Sequence, residues 1–247
     1  MSAPKPQYIA NLLVELGINP DFKKLDEVCF TLIKNQIPTL SDEEIYDYIE
    51  ENKKDIANEL FIKVNDAITD GVDLTFDIKE EDSDFYIQFF DKPEIFLLRK
   101  LQKNTTKYFE VFCTKILDKL GGNSLVVGGT DDGGIDFISS ELKLNGLPKN
   151  STKGSNIFVV GQAKRKGDGS HIKETDLRGF VGASVKKINE LKKTRSEQYG
   201  IFQPTILAFW TTSDFHSDAK IYARDLGIWY LNGIALCQLA LRLGIKE

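Results

Sequence analysis

The chain has 247 residues, 41% of them hydrophobic and 28% charged, which suits a soluble protein with a sizeable buried core. No apolar run reaches the roughly 18 to 20 residues of a membrane span, and the N-terminus lacks a signal-peptide core, so we expect a cytoplasmic protein. Three widely spaced cysteines and two histidines show no zinc-binding spacing, and the cysteines read as reduced, buried thiols.

Charge is unevenly divided along the chain. Residues 1–100 carry 11 Lys and Arg against 22 Asp and Glu, a net charge of −11, whereas residues 101–247 carry 21 against 15, a net charge of +6. A basic half is the footprint expected of a domain that faces phosphates, with an ordinary solvated surface as the alternative. We place the domain boundary near residue 100.

The first region, residues 1–100, is acidic and is predicted to be mainly helical. We predict helices at about residues 7–16, 22–35 and 41–68, followed by a hairpin or two irregular strands within residues 72–96. Ser41 and Glu44 have the spacing of a capping box. The apolar stripe of Ile45, Ile49, Ile56 and Leu60 suits either a dimer interface or the core of a helical bundle. Dimerisation, target recognition and regulation all remain open as roles of this region.

The second region, residues 101–247, alternates strands and helices, which is typical of an α/β layer fold. We predict helices at about residues 105–120, 174–193, 217–226 and 234–243, and strands at about 125–127, 135–139, 157–165, 205–210 and 228–231. In the second of these helices the residues expected to face inward are Leu177, Val181, Val185, Ile188 and Leu191. The polar segment 140–156, with Lys143, Lys149 and Lys153, is predicted to be a loop longer than most hairpin loops and is a candidate to face phosphates.

Two apolar runs of the second region contain polar residues that need an explanation. Asp136 interrupts the first run, and Gln162 and Lys164 interrupt the second, where they share one face because side chains alternate along a strand. If the two runs pair as neighbouring strands, Asp136 lies beside Gln162 and Lys164. A carboxylate, an amide oxygen and an ammonium group at one sheet edge suit a hard divalent cation and a water next to a phosphate.

These residues resemble the active site of the PD-(D/E)xK nucleases, and in detail the Mrr-like restriction endonuclease branch, in which Gln replaces the second acid to give QxK. The matching segments, in order, are Tyr108–Phe112, Gly133–Asp136, Gln162–Arg165, Leu177–Ala183 and Thr211–Phe215, followed by Ala219. The resemblance extends from about Thr105 to Leu243. It implies a restriction-endonuclease-like mixed β-sheet core flanked by helices.

The resemblance also implies an activity. We expect a Mg²⁺-dependent DNA endonuclease, with Mn²⁺ as a substitute, of a type II or type IV restriction or defence system that cuts a specific or methylated double-stranded site. A repair or junction-resolving nuclease of the same fold and a non-catalytic DNA-binding regulator are the alternatives. A double-strand break requires two sites, so we expect a homodimer.

The residue roles follow from the same resemblance. The catalytic residues are expected to be Glu110, Asp136, Gln162 and Lys164. Asp136, Gln162 and the backbone carbonyl of Ala163 would hold the metal. Glu110 would orient the attacking water, and Lys164 would stabilise charge on the scissile phosphate.

Other polar residues near these motifs have weaker assignments. We expect a group of basic residues to neutralise phosphates, with a solvated surface as the alternative: Arg165, Lys166, Lys173 and Arg178. Asp131 and Asp132 either add negative charge at the metal or belong to an ordinary turn. His216 reads as a helix cap or surface contact. His171 lies in a Gly-rich turn, and a contact with DNA is the less favoured interpretation of it.

Overall fold

The computed structural model describes residues 4–16, 21–90, 92–127, 134–143, 156–167, 170–194 and 203–245. The chain forms two compact units, the first mainly of residues 1–99 and the second of residues 100–167 and 171–247. Within those described ranges, every helix is too short or too polar to cross a membrane. All three cysteines are buried and none is in a disulfide.

The first unit combines helices with a small antiparallel sheet. Its elements are α1 (Pro6–Leu16), β1 (Lys23–Lys24), α2 (Leu25–Gln36), α3 (Asp42–Thr69), β2 (Phe76–Glu81) and β3 (Asp84–Phe89), after which α4 (Pro93–Lys103) leads into the second unit. The strand order is β1-β3-β2, and both pairs are antiparallel. The mainly helical N-terminal region predicted from the sequence is therefore confirmed, and the stretch of alternating residues forms the β2–β3 hairpin.

The start of α3 is the predicted capping box. The Ser41 hydroxyl accepts a hydrogen bond from the Glu44 N–H at 3.3 Å, and Glu44 Oε2 accepts one from the Ser41 N–H at 2.8 Å. The hydrogen bonds from the Ser41 backbone and hydroxyl lower the pKa of Glu44. Two N–H groups that the helix itself cannot satisfy are thereby paired.

The apolar stripe of α3 lies inside the first unit. Ile45, Ile49, Ile56 and Leu60 are at most 2% exposed and belong to a core formed with α1, α2 and the hairpin. The stripe is therefore a bundle core, and its alternative use as a dimer interface is wrong. The hairpin turn, Asp82-Ser83, has positive φ at both residues, as the right-handed twist of a tight hairpin favours.

The second unit is built on a mixed sheet. Its elements are α5 (Thr106–Lys119), β4 (Asn123–Val126), β5 (Phe137–Lys143), β6 (Asn156–Lys164), β7 (His171–Ile172), α6 (Glu174–Thr194), β8 (Thr205–Thr211), β9 (Asp214–Phe215), α7 (Ser217–Asp225), β10 (Trp229–Leu231) and α8 (Gly233–Arg242). Five strands run in the order β10-β8-β6-β5-β4. The β10–β8 and β8–β6 pairs are parallel, whereas β6–β5 and β5–β4 are antiparallel.

Helices pack against this sheet and enclose its apolar residues. Ile138 of β5, Val160 of β6 and Phe209 of β8 share a core with Phe180 of α6 and Ala219 of α7. Helix α5 packs against β4, β5 and β6, and α8 packs against β8 and β10. The mixed sheet flanked by helices that the resemblance implies is confirmed.

Two local expectations are wrong, and some elements of the structure are additional to the predicted ones. The sequence predicts a loop from residue 140, but Ser140–Lys143 continue β5 through a register shift after Ser139, where Glu141 has a φ of +69°. A bulge of this kind breaks the alternation that marks a strand in sequence. Val185, expected to face inward, is 55% exposed. Helix α4 and the parallel β7–β9 pair are additional to the predicted elements.

Some predicted features fall outside the described residues. The turn with Asp131 and Asp132 is one, and the part of the polar segment with Lys149 and Lys153 is the other.

Candidate functional site

Asp136 is fixed where the second unit's antiparallel strands begin. Its N–H donates to the Gly161 carbonyl at 2.9 Å, and its carbonyl accepts from the Val127 N–H at 2.9 Å. Its side chain reaches the neighbouring strand, where Oδ2 accepts a hydrogen bond from the Ala163 N–H at 2.8 Å. The two polar runs of the sequence are thus adjacent strands, and the Asp136 carboxylate lies against the middle residue of Gln162-Ala163-Lys164.

Gln162 lies against the glycine turn that precedes Asp136. Gly134 has a φ of +88°, a region that side chains disfavour, and a Cβ added there would lie 2.7 Å from Gln162 Nε2. The backbone conformation is therefore what favours glycine at position 134, and the Gln162 amide lies directly against it. Gln162 and Lys164 are both part-buried, whereas Ala163 between them is 4% exposed.

Lys164 is paired with an acidic residue that the sequence analysis missed. Its ammonium group donates a hydrogen bond to Asp176 Oδ1 of α6, and the other carboxylate oxygen accepts from the Lys173 N–H at 2.9 Å. Burial alone would raise the pKa of Asp176, but these hydrogen bonds outweigh it and lower the pKa. The only sequence signal for Asp176 is a place in the first turn of a helix, which many acidic residues share.

Glu110 lies on α5, 9% exposed, and pairs with Lys107 at 3.4 Å. Burial raises the pKa of the neighbouring Cys113 thiol, and the negative charges of Asp136 and Glu110 raise it further. Both carboxylates therefore lie close enough to Cys113 to act on the same buried group. This brings Glu110 and Asp136 towards one region from two different elements.

Two buried hydroxyl groups at the end of β8 fasten the end of β6. Thr211 Oγ1 donates to the Lys164 carbonyl at 2.7 Å. Thr212 Oγ1 donates to the Lys166 carbonyl and accepts from its N–H, both at 3.0 Å. Both threonines are fully buried. The backbone on either side of Arg165 is therefore held by the end of β8. This limits the movement of the Lys164 backbone.

The side chains of three of the four basic residues expected to neutralise phosphates have partners among the described residues. Arg165 donates to the Gln102 carbonyl at 2.8 Å, and Lys166 donates to the His171 carbonyl at 3.4 Å. Arg178 pairs with Glu174 and lies 4.8 Å from the Tyr222 ring. Lys173 is exposed at the start of α6.

The two histidines pack against each other. Their ring centroids are 5.0 Å apart, and His171 is buried within β7. His216 occupies the N-cap position of α7 without a capping hydrogen bond from its side chain. His171 is therefore a packed strand residue, in contrast to the turn residue expected from the sequence.

The donor atoms around Asp136 suit a hard divalent cation. Within the described ranges, no group of three His, Cys, Asp or Glu side chains is placed to hold a metal. The ligand set expected from the sequence is mixed: the Asp136 carboxylate, the Gln162 amide oxygen and the Ala163 carbonyl, of which the Ala163 backbone contacts Asp136. All three are oxygen donors, the kind that Mg²⁺ and Ca²⁺ prefer.

A mixed sheet with an acid immediately before β5 and a Gln-x-Lys segment at the end of the adjacent antiparallel β6 is the arrangement of a restriction-endonuclease-like domain. The family model Mrr_cat, described as restriction endonuclease, matches residues 101–240. The chain belongs to this restriction endonuclease family.

One solved structure is similar in part. It is the MspJI restriction endonuclease in complex with a 27-mer oligonucleotide, with 21% sequence identity and a TM-score of 0.43. The match covers 61% of this chain and 31% of that one, so the chain spans about a third of the length of its structural relative. A search of curated proteins gave no match.

Proposed function

We propose that the chain is a Mg²⁺-dependent endonuclease that hydrolyses phosphodiester bonds of double-stranded DNA, at a specific or methylated site, in a type II or type IV restriction system. The observation that carries this proposal is the hydrogen bond of 2.8 Å from the Ala163 N–H to Asp136 Oδ2. This bond holds the Asp136 carboxylate beside the Gln-x-Lys segment. Hydrolysis of a phosphodiester needs both a metal with oxygen ligands and a positively charged side chain at one place. Membership of the restriction endonuclease family supports the same reaction class.

The proposed metal ligands are the Asp136 carboxylate, the Gln162 amide oxygen and the Ala163 carbonyl. When bound there, Mg²⁺ supplies Lewis-acid stabilisation of the phosphate and lowers the pKa of water. Asp136 contributes the only formal negative charge among these ligands. Glu110, whose charge acts on the same thiol as that of Asp136, adds a second carboxylate to the region.

The remaining catalytic work falls to Glu110 and Lys164. Glu110 accepts a hydrogen bond from the attacking water and so orients it towards phosphorus. Lys164 donates to a non-bridging oxygen of the scissile phosphate and stabilises the charge that develops as the water attacks and the leaving oxygen departs. These interactions matter most in the transition state and therefore raise turnover more than affinity.

The approach of DNA is assigned to the basic segment after β6. Arg165 and Lys166 directly follow Lys164 at the end of β6, Lys173 immediately precedes α6, and Arg178 lies in the second turn of α6. On binding a duplex, Arg165 would leave the Gln102 carbonyl and Arg178 would leave the Glu174 carboxylate, and each would contact a phosphate instead. This segment belongs to the half of the chain with a net charge of +6.

The test is a digest by the purified full-length protein. Methylated and unmethylated linear duplexes are incubated with Mg²⁺, Mn²⁺ or EDTA, and the fragment ends are sequenced. We expect cleavage with either metal, no cleavage in EDTA, and fragment ends that identify a site or a methylation requirement.

A four-way junction and a nicked duplex serve as comparison substrates, and Asp136→Asn serves as the inactive control. Preferred cleavage of the junction would assign the protein to the junction-resolving class. Tight, metal-independent DNA binding with no cleavage of any substrate would assign it to the non-catalytic regulators.

A further inference from the structure

Asp176 pairs with the proposed catalytic lysine from a different element. Lys164 ends β6, and Asp176 follows it by 12 residues, in the first turn of α6. The two side chains are 35% and 20% exposed, so water screens this ion pair less than a pair on the open surface. The contact therefore joins the end of the strand to the beginning of the helix.

The two oxygens of Asp176 have separate partners. Oδ2 accepts from the N–H of Lys173, the residue before α6, at 2.9 Å. A side chain at the third helical position that bonds back to the capping residue is half of a capping box. The bond to the Lys173 N–H at the start of the helix fixes the orientation of the Asp176 carboxylate. The other oxygen, Oδ1, therefore points to the Lys164 ammonium group.

Strand β6 itself gives Lys164 no negative neighbour. Val160 and Gln162 share its face, and both are neutral. An acid at position 162 would place a carboxylate about 7 Å along the strand from Lys164, two residues at roughly 3.3 Å each. The carboxylate that contacts the Lys164 ammonium group comes from α6 instead.

We propose that Asp176 is a positioning residue for Lys164, supplying from α6 the negative charge that position 162 lacks and holding the ammonium group at the strand end where the scissile phosphate arrives. The inference rests on the proposed nuclease function, since it assigns Asp176 a role in the action of the same lysine. Asp176 does not contact the phosphate. It determines where Lys164 is when the phosphate binds.

The main test is Asp176→Asn in the full-length protein. The amide oxygen can still accept from the Lys173 N–H, so the helix start is kept while the charge is removed. We expect kcat to fall by about 10- to 100-fold, the range seen for residues that orient a functional group. The KM for DNA should change little, because Asp176 does not bind phosphate.

Adding Gln162→Glu to Asp176→Asn should restore most of the lost turnover, since it returns a carboxylate to the face of Lys164. Asp218→Asn is the matched control. Asp218 lies in the first turn of α7, is exposed, and is outside the proposed site, so its variant should cleave at the wild-type rate.

A second measurement does not depend on cleavage. Nitrogen-15 NMR of the lysine ammonium groups identifies Lys164 Nζ by the loss of its signal in Lys164→Ala. In Asp176→Asn this signal should shift or broaden while the Lys173 amide signal keeps its hydrogen-bonded position. In Asp218→Asn both signals should be unchanged.

Wild-type turnover in Asp176→Asn, a loss that Gln162→Glu does not repair, or an unchanged Lys164 signal would each overturn the proposal. Should Asp176→Asn fail to fold, Asp176→Ser, which keeps a short acceptor for the Lys173 N–H, replaces it. A wild-type protein that cuts no DNA would refute the nuclease function. The ammonium signal would then still decide whether Asp176 holds Lys164.

Discussion

Asp136 has a structural bond as well as a proposed chemical role. Asp136→Asn keeps an oxygen for the Ala163 N–H, which donates to Oδ2 at 2.8 Å, and removes the negative charge. We expect turnover to fall by at least about 100-fold, the scale seen when one charge-stabilising group is removed, with little change in the thermal midpoint. Lys164→Ala should lose turnover similarly while DNA affinity persists, because many phosphate contacts contribute to affinity.

Single-turnover cleavage in Mg²⁺, thermal denaturation and fluorescence anisotropy with labelled DNA in Ca²⁺ would measure the three quantities separately. Near wild-type turnover in either variant would show that the catalytic residues lie elsewhere.

Gln162 provides a comparison between a charged and an apolar replacement. Gln162→Glu keeps an oxygen for the metal, whereas Gln162→Ala removes it, so the first should retain more activity than the second. Titrating Mg²⁺ in the cleavage assay would show the difference as the metal concentration at half-maximal rate. Equal losses in both variants would argue that the amide oxygen is not a ligand.

The sequence alone identifies the site residues that interrupt apolar runs. It does not identify those whose role depends on packing between elements. Asp136, Gln162 and Lys164 are visible because a polar residue in a strand needs a partner. Asp176 and Thr212 are not visible in this way, since a first-turn acid and a strand-end threonine are ordinary in their own elements. Their contacts to Lys164 and Lys166 arise only when α6 and β8 meet the end of β6.

The pairing of β5 with β6 depends on one small residue. Phe137 is opposite Gly161 in the register, and a Cβ added to Gly161 would lie 2.0 Å from the Phe137 ring. Gly161→Ala should therefore lower the free energy of unfolding by about 1–3 kcal/mol, the usual cost of overfilling a packed core. Urea denaturation of the full-length protein would measure this loss.

Gly179→Ala is the matched control for Gly161→Ala. Gly179 lies in α6, where an added Cβ meets nothing within 4 Å. Its variant should be as stable as the wild type or slightly more stable, because alanine favours a helix. Equal stability of the Gly161→Ala variant would mean that the strands and the ring rearrange at no cost.

Elements with a clear period are the ones that sequence predicts well. The period of 3.6 identifies α3, α5 and α6, and the alternation or apolar runs identify β6 and β8. Strands β7 and β9 have two residues each, too few for any period, and their pairing joins positions more than 40 residues apart. Val185 fits the helical spacing of α6, but the packed face is centred on Phe180 and Ser184, which leaves Val185 exposed.

The opposite charges of the two halves predict where DNA affinity resides. Residues 101–247 carry +6 and residues 1–100 carry −11, so neutralised phosphates should be found mainly against the second half. Lys173→Ala in the full-length protein should reduce the slope of log binding constant against log salt by about 1.

Lys23→Ala is the control for Lys173→Ala, since Lys23 is an exposed lysine of the acidic half. It should leave the slope unchanged. Salt-insensitive binding, or an equal effect of the two variants, would contradict the assignment of DNA to the basic half.

Two phosphates on opposite strands must be cut to break a duplex, whereas one chain offers a single set of Asp136, Gln162 and Lys164. A two-fold dimer would place two such sets on a duplex, and closed two-fold pairs are the commonest oligomers. The α3 stripe cannot form the interface because Ile56 is fully buried in the first unit. Ile56→Ala should therefore destabilise the protein by about 2–5 kcal/mol without changing the number of chains bound to DNA. Light scattering with and without cognate DNA would count the chains, and a monomer on DNA that makes double-strand breaks in one binding event would refute the dimer.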